Sequence, residues 1–200
     1  MRAICICLPE YPERAEKARA HFAERGLTDV EFFWGLNAPV AGLVTTHVYE
    51  VDHPHSGFRM GQKAVGCWLS HVMLYACMTR MADDAYLVLE DDAQLDEDFV
   101  PKLEQALRDV PSDYQFLHVG HCCIGDKPMQ HIAGNVYECK AMQCTHAYVV
   151  KRNLAPFLLK TLRKCWAPID IQLQLEVFPH VRTFAVIPRI ASQFDTVLPT

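Results

Sequence analysis

No stretch of this 200-residue chain approaches the roughly 20 consecutive apolar residues that span a bilayer, so no transmembrane segment is expected. Positive charge is also scarce. Lys and Arg number 19 against 24 Asp and Glu, for a net charge of -5 and a pI near 6.0. That balance leaves no basic footprint for gripping a phosphate backbone and argues against nucleic acid as a partner. Internal repeats, low-complexity tracts and linkers are missing, which favours one domain over residues 1–200. The opening MRAICICLPEYPER has only a short apolar run and no small-residue cleavage site, so it reads as a first strand and not as a signal peptide. No CxxC pair occurs among the nine cysteines, at 5, 7, 67, 77, 122, 123, 139, 144 and 165. An odd count at irregular spacing disfavours a disulfide scaffold and favours a reducing, cytoplasmic setting. No amphipathic basic segment points to peripheral membrane contact.

What the chain has is apolar mass: 50% of its residues are hydrophobic, enough for a sizeable core. Its patterns alternate between short apolar runs and helical periodicity. AICICLP is a strand ended by Pro9, and PERAEKARAHFAERGL a helix stopped at Gly26. VEFFWGLN is a second strand, and Ala38 to Met60 a loop. The longest helix is QKAVGCWLSHVMLYACMTRMA, with Val65, Leu69, Val72, Met73 and Ala76 as its apolar face. AYLVLE, YQFLHVG, the start of THAYVVKRNLAPFLLKTLRKC, and RTFAVIP are further strands; EDFVPKLEQALRDV is a helix. Such alternation predicts an α/β sandwich with a largely parallel sheet and ligands at the carboxyl ends of its strands.

The most informative stretch is AYLVLEDDAQLDEDF, residues 85–99, where an apolar strand runs straight into acids. Asp96, Glu97 and Asp98 suit the positive end of the helix that follows. Glu90, Asp91 and Asp92 come too early for that role. Hard divalent cations prefer oxygen ligands, and Mg²⁺ or Mn²⁺ is often held by one or two carboxylates plus substrate phosphates. A strand-end acidic group is therefore a candidate grip for a metal on a diphosphate.

The segment GCWLSHVMLYACMTRMADDAYLVLEDDAQLDEDF resembles the core of glycosyltransferase family 25, the lipooligosaccharide and collagen galactosyltransferase group. The shared pattern is G-C-x-x-S-H at Gly66, Cys67, Ser70 and His71, a helix, and then L-E-D-D at Leu89 to Asp92. Further similarity lies in CLPEYPERAEKARAHFAERGL with Arg14, in YQFLHVG, in CTHAYVVKRNLAPFLL, in APIDIQL and in SQFDT. The resemblance implies a GT-A-like fold, a Rossmann-type mostly parallel sheet flanked by helices, with a UDP-sugar donor. It also implies Mn²⁺ (or Mg²⁺) on a DxD-like element and inverting transfer of a hexose, galactose favoured. Glu90 and Asp92 take the outer, metal-binding positions, and Asp91 meets sugar or ribose hydroxyls. Arg14, Ser70, His71, Thr145 and His146 join the donor site, and Asp195 is a second metal or diphosphate contact or else a turn residue. The acceptor is a glycan, glycolipid or protein hydroxyl. The chain departs from the family pattern at Ala64, where Glu is usual, at Cys7 to Pro9 in place of N-L-D, and at Cys144 in place of Gly.

Each candidate also has a plainer role. Arg14 sits among Glu10, Glu13 and Glu16 as a solvated base, or holds a phosphate bidentately. Ser70 and His71 pack or cap within the helix, or stabilise charge on the leaving diphosphate. Asp170, between apolar neighbours, caps a helix, or is the desolvated general base that an inverting transfer requires, with Glu176 behind it. His118, His121, Cys122 and Cys123, with Cys139 and Cys144, are a zinc set or merely sheet core. Two other functions stay open: a non-catalytic nucleotide-sugar-binding module, and a hydrolase built on Cys67 and His71, four residues apart on one helix.

Overall fold

A computed structural model describes residues 1–38, 40–41, 60–122 and 129–194. In chain order the elements are β1 (Arg2–Cys7), α1 (Pro12–Glu24), β2 (Val30–Trp34), α2 (Gln62–Met78), β3 (Ala85–Glu90), β4 (Ala93–Leu95) and α3 (Phe99–Asp109). There follow β5 (Phe116–His118), β6 (Gln130–Ala133), β7 (Val136–Glu138), β8 (Ala147–Lys151), α4 (Ala155–Thr161), α5 (Ile169–Gln172), β9 (Thr183–Val186) and β10 (Ala191–Gln193).

The central strands are apolar on both faces, as strands covered by helices on both sides must be. In β1, Ala3, Cys5 and Cys7 point to one face while Ile4 and Ile6 point to the other. β3 does the same, with Ala85, Leu87 and Leu89 opposed to Tyr86 and Val88. The first face is covered by α1, through Ala15, Ala18 and Phe22, and by α3, through Phe99, Leu103 and Ala106. The second face is covered by α2 and α4, with Ile169 of α5 and Leu173 and Val177 just beyond it. The thiols of Cys5 and Cys7 are buried in the sheet and act as small hydrophobes.

Eight strands form the main sheet in the order β2-β1-β3-β8-β5-β9-β7-β6. β2, β1, β3, β5, β9 and β6 run one way, and only β8 and β7 run against them, so the sheet is mixed but mostly parallel in direction. β4 and β10 pair in a separate two-stranded ribbon beyond the end of β3. These short strands, and the β6–β7 hairpin, carry no periodic signal in the sequence. No helix among the described residues is long and apolar enough to cross a membrane.

The buried side of α2 differs from the apolar stripe expected from its sequence. Of Val65, Leu69, Val72, Met73 and Ala76, only Val65 is buried. The helix instead turns Trp68, Ser70, His71, Leu74, Tyr75 and Met78 inward. Hydrogen bonds satisfy Ser70 and His71 there, which a count of apolar residues cannot anticipate. The start of α3 is as expected in kind. Asp98 stands at its N-cap, and Lys102 pairs with Asp96 at 2.9 Å and Asp98 at 2.8 Å.

One close approach positions everything on the α2 side. The chain leaving β2 lies directly on α2, where a Cβ at Gly66 would sit 2.6 Å from the Leu36 carbonyl oxygen and 3.2 Å from the Ala38 nitrogen. Ser70 locks this contact: its hydroxyl donates to the Gly66 carbonyl at 2.7 Å and accepts from the Leu36 N–H at 2.8 Å. Gly66→Ala should therefore destabilise the fold by about 1–3 kcal/mol in urea denaturation, because backbone must move to admit a methyl group. Gly61→Ala, which adds a Cβ into open space, should change stability by under about 1 kcal/mol. Equal effects of the two substitutions would contradict this packing.

Candidate active site at the carboxyl edge of the sheet

The pleat of β3 separates the three acids that the sequence crowds together. Glu90, the last residue of the strand, follows Tyr86 and Val88 toward α2, while Asp91 turns back toward α1. Each acid meets different partners. His71 Nε2 lies 3.1 Å from Glu90 Oε1, and the Thr145 hydroxyl donates to the same oxygen at 2.7 Å. Behind His71, its Nδ1 is 2.8 Å from the Tyr148 hydroxyl, which is 2.9 Å from that of Tyr75. With Glu90 ionised and the His71 imidazole neutral, the relay has one consistent proton order. Tyr75 donates to Tyr148, Tyr148 to His71 Nδ1, and His71 Nε2–H to Glu90. Burial pushes Glu90 up, but the hydrogen bonds from His71 and the Thr145 hydroxyl oppose it, and the carboxyl lies below its ordinary range.

Asp91 accepts from Arg14 Nη2 at 2.5 Å. Burial raises its pKa, and the guanidinium opposes that rise. Asp92 has the poorest company. Its Oδ2 is 3.4 Å from Gln193 Nε2, and its Oδ1 is buried with no hydrogen-bond partner among the described residues. Burial first, then the charges of Glu90 and Asp91, push Asp92 up to about 6. An orphaned, desolvated carboxylate oxygen beside two other acids is the kind of position a hard cation relieves.

Two clefts flank Glu90. The larger, of about 480 Å³, opens between the ends of β1 and β3 and the start of α2. It brings together Arg14, Ser70, His71, Glu90, Asp91 and Asp92, and adds Tyr11 and Lys63. The smaller, of about 180 Å³, lies on the other side and is lined by Glu90, Cys144, Thr145, Asp170 and Gln193. Cys67 and Glu90 border both clefts, so the two meet at that point.

Asp170 sits in the first turn of α5, after Pro168. Its Oδ1 accepts from the Ile171 N–H at 2.9 Å and its Oδ2 from the Cys144 N–H at 3.0 Å. Cys144 has φ 72, in the left-handed region that glycine tolerates best. The residue standing in place of the family's glycine thus keeps a glycine backbone conformation. Ser70 borders the larger cleft, but its hydroxyl is committed to Gly66 and Leu36, which makes it a positioning residue here. His146 is fully buried and lines neither cleft. Its Nε2 is 3.3 Å from the Ala191 carbonyl, and its own carbonyl accepts the Glu90 N–H at 2.9 Å. Glu176, the second choice of base, is bonded by Trp166 and Gln172 and also lines neither cleft. Asp195 and Cys123 lie outside the described residues, as does nearly all of the loop between Ala38 and Met60.

Two expectations about cysteine and histidine need correcting. Cys122 and Cys144 form a disulfide, a pairing the irregular cysteine spacing had not pointed to, although the chain is not a disulfide scaffold. The reason is register: β5 and β8 pair antiparallel with His118 opposite Tyr148, and continuing that register past the strands sets residue 122 opposite 144. The zinc set is not assembled among the described residues. Cys122, Cys144 and His146 do converge, but the two sulfurs are bonded to each other. His118 is buried without a partner for either ring nitrogen, and Cys139 packs in a separate cluster. The hydrolase pair also lacks support. Burial holds the Cys67 thiol well above its ordinary value, and both nitrogens of His71 are occupied by Tyr148 and Glu90. The sequence reading missed Tyr75, Tyr148, Lys63 and Gln193. A tyrosine inside an apolar strand, needing a partner for its hydroxyl, was the available signal for Tyr148; nothing local marked Gln193.

A mostly parallel α/β sheet with carboxylates crowded at a central strand end, facing a cleft, defines a GT-A-like transferase fold. A glycosyltransferase involved in the glycosylation of the major capsid of PBCV-1 has a similar fold, with a TM-score of 0.55 at 10% identity, over 98% of this chain and 92% of that one. The family model for glycosyltransferase family 25 (LPS biosynthesis protein) matches residues 1–173, and the chain belongs to that family. A glycosyltransferase 25 family member of Aedes aegypti is 31% identical over 111 residues, 52% of this chain and 18% of that protein. One of Drosophila melanogaster is 28% identical over 192 residues, 90% of this chain and 31% of that protein. The human inactive glycosyltransferase 25 family member 3 is 27% identical over 113 residues, 54% of this chain and 19% of that protein. The matches thus span less than a third of these relatives' length.

The state of Asp92 has a measurable consequence. Its folded-state pKa of about 6 lies above the ordinary 3.8, so the folded protein holds that proton more tightly than the unfolded chain. Stability should fall as pH rises through that window, by up to about 3 kcal/mol, and stay reduced above it. Asp92→Asn should therefore raise the Tm at neutral pH and lose this advantage toward pH 4. A Tm difference that does not vary with pH would show that Asp92 is not strained.

Proposed function

We propose that this chain is a metal-dependent, inverting glycosyltransferase domain that moves a hexose, galactose favoured, from a UDP-sugar to an acceptor hydroxyl on a glycan, glycolipid or protein. One observation carries the proposal. Glu90 lines two clefts, with Asp92, whose Oδ1 has no hydrogen-bond partner among the described residues, in the larger and Asp170 in the smaller.

The larger cleft takes the donor. Asp92, with Glu90 beside it, would hold Mn²⁺ or Mg²⁺, and the buried, unpartnered Asp92 oxygen supports that fit. When bound, such an ion supplies positive charge to a leaving diphosphate. Arg14 and Lys63 add fixed cations to the same cleft, and Asp91, tethered by Arg14, is placed for sugar or ribose hydroxyls. His71 keeps Glu90 ionised and fixed. The smaller cleft takes the acceptor. Asp170 removes the proton of the attacking hydroxyl as its oxygen bonds to the anomeric carbon and the bond from that carbon to the diphosphate oxygen breaks. A single in-line displacement inverts the configuration, and the separation of Asp170 from the donor carboxylates into another cleft supports this geometry.

A second reading, a nucleotide-sugar-binding module without turnover, is favoured by Ala64 in place of the family's Glu and by the human relative whose name declares it inactive. Turnover of a donor panel separates the two. The first reading expects Mn²⁺-dependent consumption of UDP-galactose above other nucleotide-sugars, abolished by Asp92→Ala. It also expects Asp170→Asn to lower kcat for transfer by about 10²-fold or more, with donor Kd unchanged. Saturable donor binding with no turnover under any acceptor would establish the module instead.

A further inference from the structure

The smaller cleft is built on a strained residue, and the strain has a holder. Cys144 lines that cleft with φ 72, a conformation in which a Cβ is unfavourable. Two contacts made from this conformation matter. Its amide binds Asp170 Oδ2 at 3.0 Å, and the next residue, Thr145, donates its hydroxyl to Glu90 Oε1 at 2.7 Å. A covalent link anchors Cys144 from the opposite side, to Cys122 at the end of the segment leaving β5. Cys122 is exposed and Cys144 only partly buried, so the bond is reachable from solvent. Beside the crosslink, the Cys122 N–H donates to the Gln143 carbonyl at 3.3 Å, and the Gly120 N–H to the Ala147 carbonyl at 2.9 Å.

We propose that the Cys122–Cys144 disulfide is a redox-sensitive positioning element of the acceptor cleft. Oxidised, it holds residue 144 in the left-handed conformation that presents its amide to Asp170 and keeps Thr145 on Glu90. A dithiol reductant delivers two electrons and two protons, opening the S–S bond to two thiols and becoming a disulfide itself. Cys144 is then free to relax out of the left-handed region. Asp170 loses a fixed hydrogen-bond donor, and Glu90 loses the Thr145 hydroxyl. The donor cleft keeps its own fixtures: Arg14 on Asp91, and Ser70 on Leu36. Reduction therefore acts on transfer more than on donor binding, which is touched only through the Thr145 contact to Glu90. The proposal rests on the assignment of Asp170 to the acceptor cleft for its effect on rate, but not for its effect on structure.

The test uses the full chain. Non-reducing peptide mapping should find Cys122 linked to Cys144, and dithiothreitol should remove the linked peptide. Reduction should lower kcat by about tenfold or more, with a smaller change in the Kd for UDP-galactose, as small displacements of a reacting group do. Cys122→Ser should show the same low kcat without reductant and lose nothing more when it is added. The double variant Cys122→Ser with Cys144→Gly is the rescue. Glycine accepts the left-handed conformation without a crosslink, so kcat should recover and become indifferent to dithiothreitol. A wild-type kcat unmoved by loss of the linked peptide, or a double variant as slow as Cys122→Ser, overturns the proposal. Amide hydrogen exchange of residues 144–147 gives a readout independent of activity. It should accelerate at least about tenfold on reduction, and unchanged exchange also overturns the proposal. Accelerated exchange in a protein that transfers no sugar at all would sink the proposed function while leaving the positioning role standing.

Discussion

Keeping the Glu90 carboxylate ionised at the junction of two clefts is the constraint around which the carboxyl edge of the sheet is arranged. Burial alone would neutralise it, so the anion persists only with donors fixed on it. His71 and Thr145 supply those donors, and neither can stand alone. His71 needs Tyr148 to set its tautomer, and Tyr148 needs Tyr75. The backbone N–H of Glu90 is taken by His146, whose ring is wedged between Gly120 and Ala191. Residues from α2, β3, β8 and the turn before it thus converge on one side chain.

This arrangement gives a physical account of why G-C-x-x-S-H sits at its distance from L-E-D-D. Gly66 admits the backbone leaving β2, Ser70 clamps that backbone, and His71, on the turn of the helix beyond Cys67, reaches the carboxylate at the end of β3. The crowding of three acids is likewise less costly than it looks in a linear sequence. Glu90 is turned to α2 and Asp91 to α1, and of the three only Asp92 keeps a buried oxygen with no hydrogen-bond partner among the described residues. The unrelieved electrostatic tension of the site is concentrated on the one carboxylate best placed for a cation.

Cys144 shows how a departure from a family pattern can conserve a shape. The turn before β8 needs a left-handed residue, because only from there does the amide point at Asp170. Glycine meets that need with no Cβ; this chain meets it with a cysteine and a crosslink. The substitution changes the chemistry that maintains the turn and not the turn itself.

Much of the fold was legible without coordinates. Unbroken apolar runs such as AYLVLE marked the central strands, helix formers and Gly26 bounded α1, and the break from Leu89 to Glu90 marked the carboxyl edge of the sheet. Those features are local, and local periodicity and composition determine them. The short strands β4, β6, β7 and β10 left no trace, since three or four residues carry no period. The inward face of α2 was misjudged because buried polar residues follow their partners and not their hydropathy. The sequence by itself determined the α/β architecture and the acidic strand end. Only the tertiary structure decided which acid is paired, which is orphaned, and that residue 122 meets 144. Those outcomes depend on strand order and antiparallel register between segments far apart in the chain, and no local pattern encodes that pairing.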